Sequence, residues 1–102
     1  MKYYNYILLM LLGLSQITFS QGISGYVMST NEKGNMVGLP GANIVWLNTT
    51  TGTVTNESGF FTLNRIDDNQ QFIVVSYVGY ENDTIDTKNN NSLHIMLSPI
   101  AD

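Results

Sequence analysis

Residues 38–63 read GLPGANIVWLNTTTGTVTNESGFFTL, and residues 73–85 read IVVSYVGYENDTI. Gly, Asn and Pro interrupt short runs of β-branched and aromatic residues every few positions. That is the pattern of short strands joined by tight turns in a β-sandwich or barrel. Leu39-Pro40-Gly41 fits a turn in which Pro presets φ and Gly41 permits a positive φ. Ala42–Leu47 then reads as a strand with Ala42, Ile44 and Trp46 on one face and Asn43, Val45 and Leu47 on the other. Its near-continuous apolarity predicts a central position. Gly52–Thr55 is a short strand, Asn56-Glu57-Ser58-Gly59 a hairpin turn, and Phe60–Leu63 the strand that follows it.

Further along, residues 65–71 are polar and read as a loop. Phe72–Val78 (FIVVSYV) is the longest β-branched and aromatic run and the expected core strand. Gly79 breaks it as a bulge or bend, and Tyr80–Ile85 resumes it. After an Asn-rich turn, Leu93, Ile95 and Leu97 alternate with His94 and Met96. Upstream, Ile23–Met28 (ISGYVM) is a first strand, and residues 29–38 are polar and read as loop. Six or seven short strands result, with no stretch of helical period. Gly41, Gly52 and Gly59 are expected where the backbone needs unusual φ. Trp46, Val75, Tyr77 and Tyr80 are expected to supply core area, the tyrosines keeping their hydroxyls at the rim.

The chain has 102 residues, enough for one domain, and no cysteine. Disulfides, thiolate metal sites and a lipidated cysteine are thereby excluded. Lys2 precedes the apolar run Tyr6–Leu14 (YILLMLLGL), which breaks at Ser15 and Gln16 and is followed by small residues at Thr18 and Ser20. A membrane span needs roughly 20 apolar residues. This run is shorter and has the three parts of a secretory signal, with cleavage expected before Gln21. The remaining chain carries Lys33, Arg65 and Lys88 against Glu32, Glu57, Asp67, Asp68, Glu81, Asp83, Asp86 and Asp102, a net charge of about −5. That balance argues against nucleic acid and anionic lipid as partners, because both are bound through clustered Lys and Arg. The expected organisation is a signal peptide over residues 1–20, a sandwich over 21–98 and the start of a linker over 99–102.

Five motifs occur in order: Gly25-Tyr26-Val27, Leu39-Pro40-Gly41-Ala42-Asn43-Ile44, Gly52-Thr53-Val54-Thr55-Asn56-Glu57-Ser58-Gly59-Phe60-Phe61, Ser76-Tyr77-Val78-Gly79-Tyr80 and Leu93-His94-Ile95-Met96-Leu97. Their order and spacing resemble the carboxypeptidase-regulatory-like domains of secreted and outer-membrane proteins of the Bacteroidetes. Asn56 stands where that family usually has Asp, and its side chain can start the same turn. The resemblance implies an all-β, seven-stranded, transthyretin-like Greek-key sandwich. It also implies a non-catalytic accessory module, exported to the periplasm or outer membrane of a Gram-negative bacterium. Such modules most often stand at the N-terminus of TonB-dependent nutrient receptors, before the plug and barrel. The expected partners are then other domains of a longer receptor or envelope proteins, with the membrane reached only through a barrel beyond this sequence. The ending Ser98–Asp102 fits a fragment of such a reading frame. The alternative is a free-standing secreted domain, either carbohydrate-binding or a structural spacer.

No residue pattern points to catalysis or to a cofactor. His94 is the only histidine and should face away from the core, and no second ligand accompanies it. Ser24, Ser58 and Ser76 lack a partner that would activate them. Asp67-Asp68-Asn69 and the pair Asp83/Asp86 are oxygen-rich but lack calcium-loop spacing, so acidic turns are expected. A sugar platform would need exposed aromatics on one flat face, for which Tyr26 and Trp46 are the candidates. The pairing of Trp46 with Ala42 and Ile44 favours core.

Overall fold

Alternation of apolar and polar residues builds both sheets of this domain. The computed structural model describes residues 22–67 and 69–101, so the signal-peptide reading lies outside the described residues. Eight strands occur in chain order: β1 (Ile23–Thr30), β2 (Met36–Gly38), β3 (Asn43–Trp46), β4 (Gly52–Val54), β5 (Phe60–Leu63), β6 (Phe72–Ser76), β7 (Asp83–Asp86) and β8 (Ser92–Met96). Among the described residues no helix is long and apolar enough to cross a membrane.

β1 organises the first sheet. Its residues Ser24–Met28 pair in parallel with Ser92–Met96 of β8. On its other edge, Ile23–Tyr26 pair antiparallel with Leu63–Phe60 of β5, and Met28–Thr30 pair antiparallel with Gly38–Met36 of β2. Val27 is the handover point: its N–H donates to the Gly59 carbonyl at 2.8 Å, and its carbonyl accepts from the Leu39 N–H at 2.9 Å. The second sheet has the order β4-β3-β6-β7, antiparallel throughout. β3 and β6 therefore both hold central positions in it. β3, β4, β5 and β6 form a Greek key that spans the two sheets: β4 and β5 adjoin at the edge, and β6 returns to lie beside β3.

One core fills the space between the sheets. Ile23, Val27, Phe61, Leu63, Leu93 and Ile95 come from the first sheet, and Ile44, Trp46, Ile73 and Val75 from the second. The fold is an all-β Greek-key sandwich.

Three details differ from the sequence reading. Residues 29–38 contain the end of β1 and all of β2 rather than loop alone, which raises the count from seven strands to eight. β2 has no buried residue, so no alternation marks it. The polar stretch before it is a hairpin, closed where Asn31 Oδ1 accepts the N–H groups of Lys33 and Asn35, each at 3.0 Å. Asn56–Gly59 does not close a hairpin within one sheet; it carries the chain from β4 of one sheet to β5 of the other. Finally, Pro99 and Ile100 are not free linker. Pro99 bridges Tyr80, and the Ile100 N–H donates to the Gly79 carbonyl at 2.9 Å.

Candidate interaction surface

The residues singled out in the sequence fall into a core group and a turn group. Trp46 and Val75 are buried. Tyr77 and Tyr80 are half-buried against the core, with ring centroids 5.5 Å apart in an edge-to-face arrangement. Gly41, Gly59 and Gly79 have φ values of 80°, 86° and 87°. Gly52 does not share that conformation and corrects the expectation made for it: its φ is not positive, and it is required by close approach instead. A Cβ there would strike the Ile44 carbonyl on the paired strand. Gly79 sits in a turn beyond the end of β6, which is the bend and not the bulge of the two expected forms.

Sequence reasoning missed Thr55, which fastens two of the motifs together. Its buried hydroxyl donates to the Leu39 carbonyl at 2.5 Å and accepts from the Ala42 N–H at 2.9 Å. The two sides of the Pro40-Gly41 turn are thus held by one side chain. The backbone of Thr55 adds bonds with Gly41 and Ala42. Threonine in a strand reads as ordinary β-propensity, so no local signal distinguishes this one.

The groups capable of chemistry are dispersed. Among the described residues no set of three or more His, Cys, Asp or Glu side chains could hold a metal ion. Asp67 Oδ1 accepts from the Asn69 N–H at 3.0 Å, and Asp86 Oδ1 accepts from Lys88 N–H at 2.9 Å and Gln71 Nε2 at 3.1 Å. These carboxylates cap turns. The Ser58 hydroxyl donates to Asn56 Oδ1 at 2.9 Å, which also accepts the N–H groups of Ser58 and Phe60. That serine belongs to a turn, not to a nucleophile–base pair.

The outer face of the first sheet is different in kind. Register places Tyr26 beside Phe60 on one side and His94 on the other, and Met28 beside Met96. Tyr26 lies 5.1 Å from Phe60 between centroids, tilted by 57°, and 6.3 Å from His94, within 17° of parallel. Met36 extends the apolar row through its pairing with Thr30. Tyr26, Met36 and Met96 are 40%, 61% and 45% exposed, so the row is open to solvent. None of β1, β2, β5 and β8 contains an Asp, Glu, Lys or Arg; the charges of the described residues lie in loops and on β7. An uncharged aromatic and methionine surface on an acidic chain has the composition of an interface centre. A carbohydrate platform is less well served, because Trp46 is buried and the rings on this face turn toward one another.

No curated protein matches the chain. Among solved structures, a chain of the type II cohesin–X-dockerin complex from Acetivibrio cellulolyticus superposes with a TM-score of 0.58 at 17% identity, covering 76% of this chain. The likeness shows the fold alone, and the present chain spans 57% of that one's length. Residues 23–101, which include all eight strands and the five sequence motifs, match the model of the CarboxypepD_reg-like domain, and the chain belongs to that family.

Proposed function

We propose that the domain is a non-catalytic accessory module that works by protein–protein contact, standing at the N-terminus of a TonB-dependent outer-membrane receptor and exposed to the periplasm. The observation that carries the contact reading is the charge-free row of Phe60, Tyr26, His94, Met28 and Met96 across β5, β1 and β8. Phe, Tyr and Met are enriched at interface centres, where charged residues are depleted. The receptor context rests on the motif order and on the signal-like start at Lys2 and Tyr6–Leu14.

A photo-crosslinking side chain placed at Tyr26 or Met96 in cells should capture a discrete protein partner. The same group at Thr84, on the outer face of the second sheet, should not. Equal capture from both sheets, or none from the first, would refute the contact reading. Export has a separate readout: N-terminal sequencing of the membrane or periplasmic protein should begin at Gln21 or within a few residues of it. An intact Met1 on a cytosolic protein would reject export, and with it the receptor. The DNA beyond the codon for Asp102 supplies a third readout, since a receptor frame continues into a plug and alternating barrel strands.

A further inference from the structure

We propose that the open edge of β8 pairs with itself: two copies of this chain join strand to strand about a twofold axis at His94. β8 pairs with β1 on one side, and no described strand pairs with its other side. Two bonds fix which backbone groups face outward. The Ser24 N–H donates to the Asn91 carbonyl at 2.9 Å, and the Leu97 N–H donates to the Met28 carbonyl at 3.0 Å. Odd-numbered residues of this stretch therefore bond to β1, and even-numbered ones point their N–H and carbonyl groups away from it. The outward Ser98 carbonyl accepts from the Glu81 N–H at 2.9 Å, and the Ser92 N–H donates to Asn90 Oδ1 at 3.1 Å. The N–H and carbonyl groups of His94 and Met96 and the carbonyl of Ser92 are left facing outward.

Exposed sheet edges are ordinarily blunted by charge, proline or shortness. β7, an outermost strand of the second sheet, carries Asp83 and Asp86, and β2 has three residues. β8 has five residues with neither charge nor proline, and its Ser92, His94 and Met96 side chains are exposed. The open stretch fits one occupant closely. It starts at Ser92, where the preceding turn ends, and stops at Ser98, where residues 79–81 take over the edge. It accepts a five-residue strand that turns away at its start, and β8 is such a strand. Antiparallel pairing with His94 opposite the partner's His94 sets Ser92 opposite the partner's Met96. The two His94 residues then exchange two hydrogen bonds, and each Met96 N–H donates to the other copy's Ser92 carbonyl. A twofold at Ile95 would instead set Ser92 against the partner's Ser98, whose carbonyl is already taken.

Charge complements the backbone fit. Lys88 lies in the turn that leads into β8, and Glu81 and Asp83 share a surface hollow with Met96, Leu97 and Ser98 at its far end. Antiparallel pairing brings the Lys88 end of each copy to the Glu81 and Asp83 end of the other. A single strand pair buries little surface, so the dimer is a reversible one. The inference rests on the edge of the first sheet and not on its outer face, so it holds or fails independently of the contact reading above.

The test uses the purified chain, which has no native cysteine. Sedimentation equilibrium should show a reversible monomer–dimer equilibrium. Opposed residues of a hydrogen-bonded antiparallel pair have Cα atoms about 5.5 Å apart, within disulfide reach. Under mild oxidation His94→Cys should therefore give a covalent dimer. Ser92→Cys alone should not, and Ser92→Cys combined with Met96→Cys should. Lys88→Glu should raise the dissociation constant several-fold, and adding Glu81→Lys and Asp83→Lys should restore it. His94→Pro removes one outward donor per copy without touching a bond to β1, and should raise the dissociation constant about tenfold. The cysteine and charge variants sit at exposed positions and should keep the parent thermal midpoint, so they decide the matter even if His94→Pro unfolds. A chain that stays monomeric at every concentration, or Ser92→Cys crosslinking as fast as His94→Cys, would overturn the proposal.

Discussion

Gly59→Ala should destabilise this domain by more than about 3 kcal/mol, whereas Gly41→Ala and Gly79→Ala should each cost only about 1–2 kcal/mol. All three glycines have φ between 80° and 87°, so each alanine meets the same left-handed strain. They differ in surroundings. A Cβ at Gly41 or Gly79 would have nothing within 4 Å. A Cβ at Gly59 would lie 2.6 Å from the Val27 carbonyl oxygen and 3.0 Å from both the Gly38 Cα and the Leu39 nitrogen. These atoms are backbone and cannot rotate aside. They also belong to the handover at Val27, where β5 and β2 share one edge of β1. Relieving the clash would break the Val27–Gly59 bond or push β2 from the sheet. Strain and overlap together should exceed about 3 kcal/mol. A domain of this size has on the order of 4–12 kcal/mol in all. Thermal unfolding of the three variants, followed by circular dichroism, checks the order. A Gly59→Ala midpoint close to that of Gly41→Ala would show that the junction relaxes easily and that Gly59 is present for its φ alone.

The contrast among glycines shows where the sequence is informative. A positive φ after Pro40 or in the Asn56–Gly59 turn is a local property, written in the neighbouring residues. Close approach is not local. Gly25 meets the Leu93 carbonyl, Gly38 the Ser58 carbonyl and Gly52 the Ile44 carbonyl. The first two partners lie far along the chain, and only the register brings them together. The same division runs through the strands. Ile44 and Trp46, Ile73 and Val75, and Leu93, Ile95 and Leu97 alternate with exposed or half-buried neighbours, so both their strands and their inward faces are legible. β2 buries nothing, and the turn at Asn56 looks identical whether it joins strands of one sheet or of two. The candidate surface belongs to the illegible class. Tyr26, Phe60 and His94 sit on three strands, and the parallel return of β8 beside β1 is needed to put His94 against Tyr26. No spacing in the sequence encodes that return.

Trp46→Ala should cost about 3–5 kcal/mol, the range for emptying a large aromatic site in a core. The indole is 1% exposed at the end of the central strand β3, packed in the core cluster that joins both sheets. It also organises the polar end of the sandwich. Its Nε1–H donates to the Asn64 carbonyl at 3.0 Å, and the Arg65 guanidinium stands 5.3 Å from the ring centroid. Arg65 in turn donates from Nε to the Gln70 carbonyl at 2.9 Å and from a terminal nitrogen to Thr87 Oγ1 at 2.9 Å. The fully buried Thr87 hydroxyl donates to the Gln71 carbonyl at 2.6 Å. The 64–71 loop is thus fastened to the core through the face and edge of one ring. Alanine removes the filling, the indole donor and the surface under the guanidinium together. Phenylalanine keeps most of the filling, so Trp46→Phe should cost less, with the Asn64 carbonyl left without that donor at about 1–3 kcal/mol. For a domain of this size each kcal/mol lowers the melting midpoint by about 4–8 °C. Denaturant unfolding of the two variants measures the difference directly. Backbone hydrogen exchange in residues 64–71 should rise in Trp46→Ala beyond what global destabilisation explains. If Trp46→Phe is as damaging as Trp46→Ala, the Asn64 bond carries the energy and the packing does not. If both are neutral, Trp46 is not the element that joins this loop to the core.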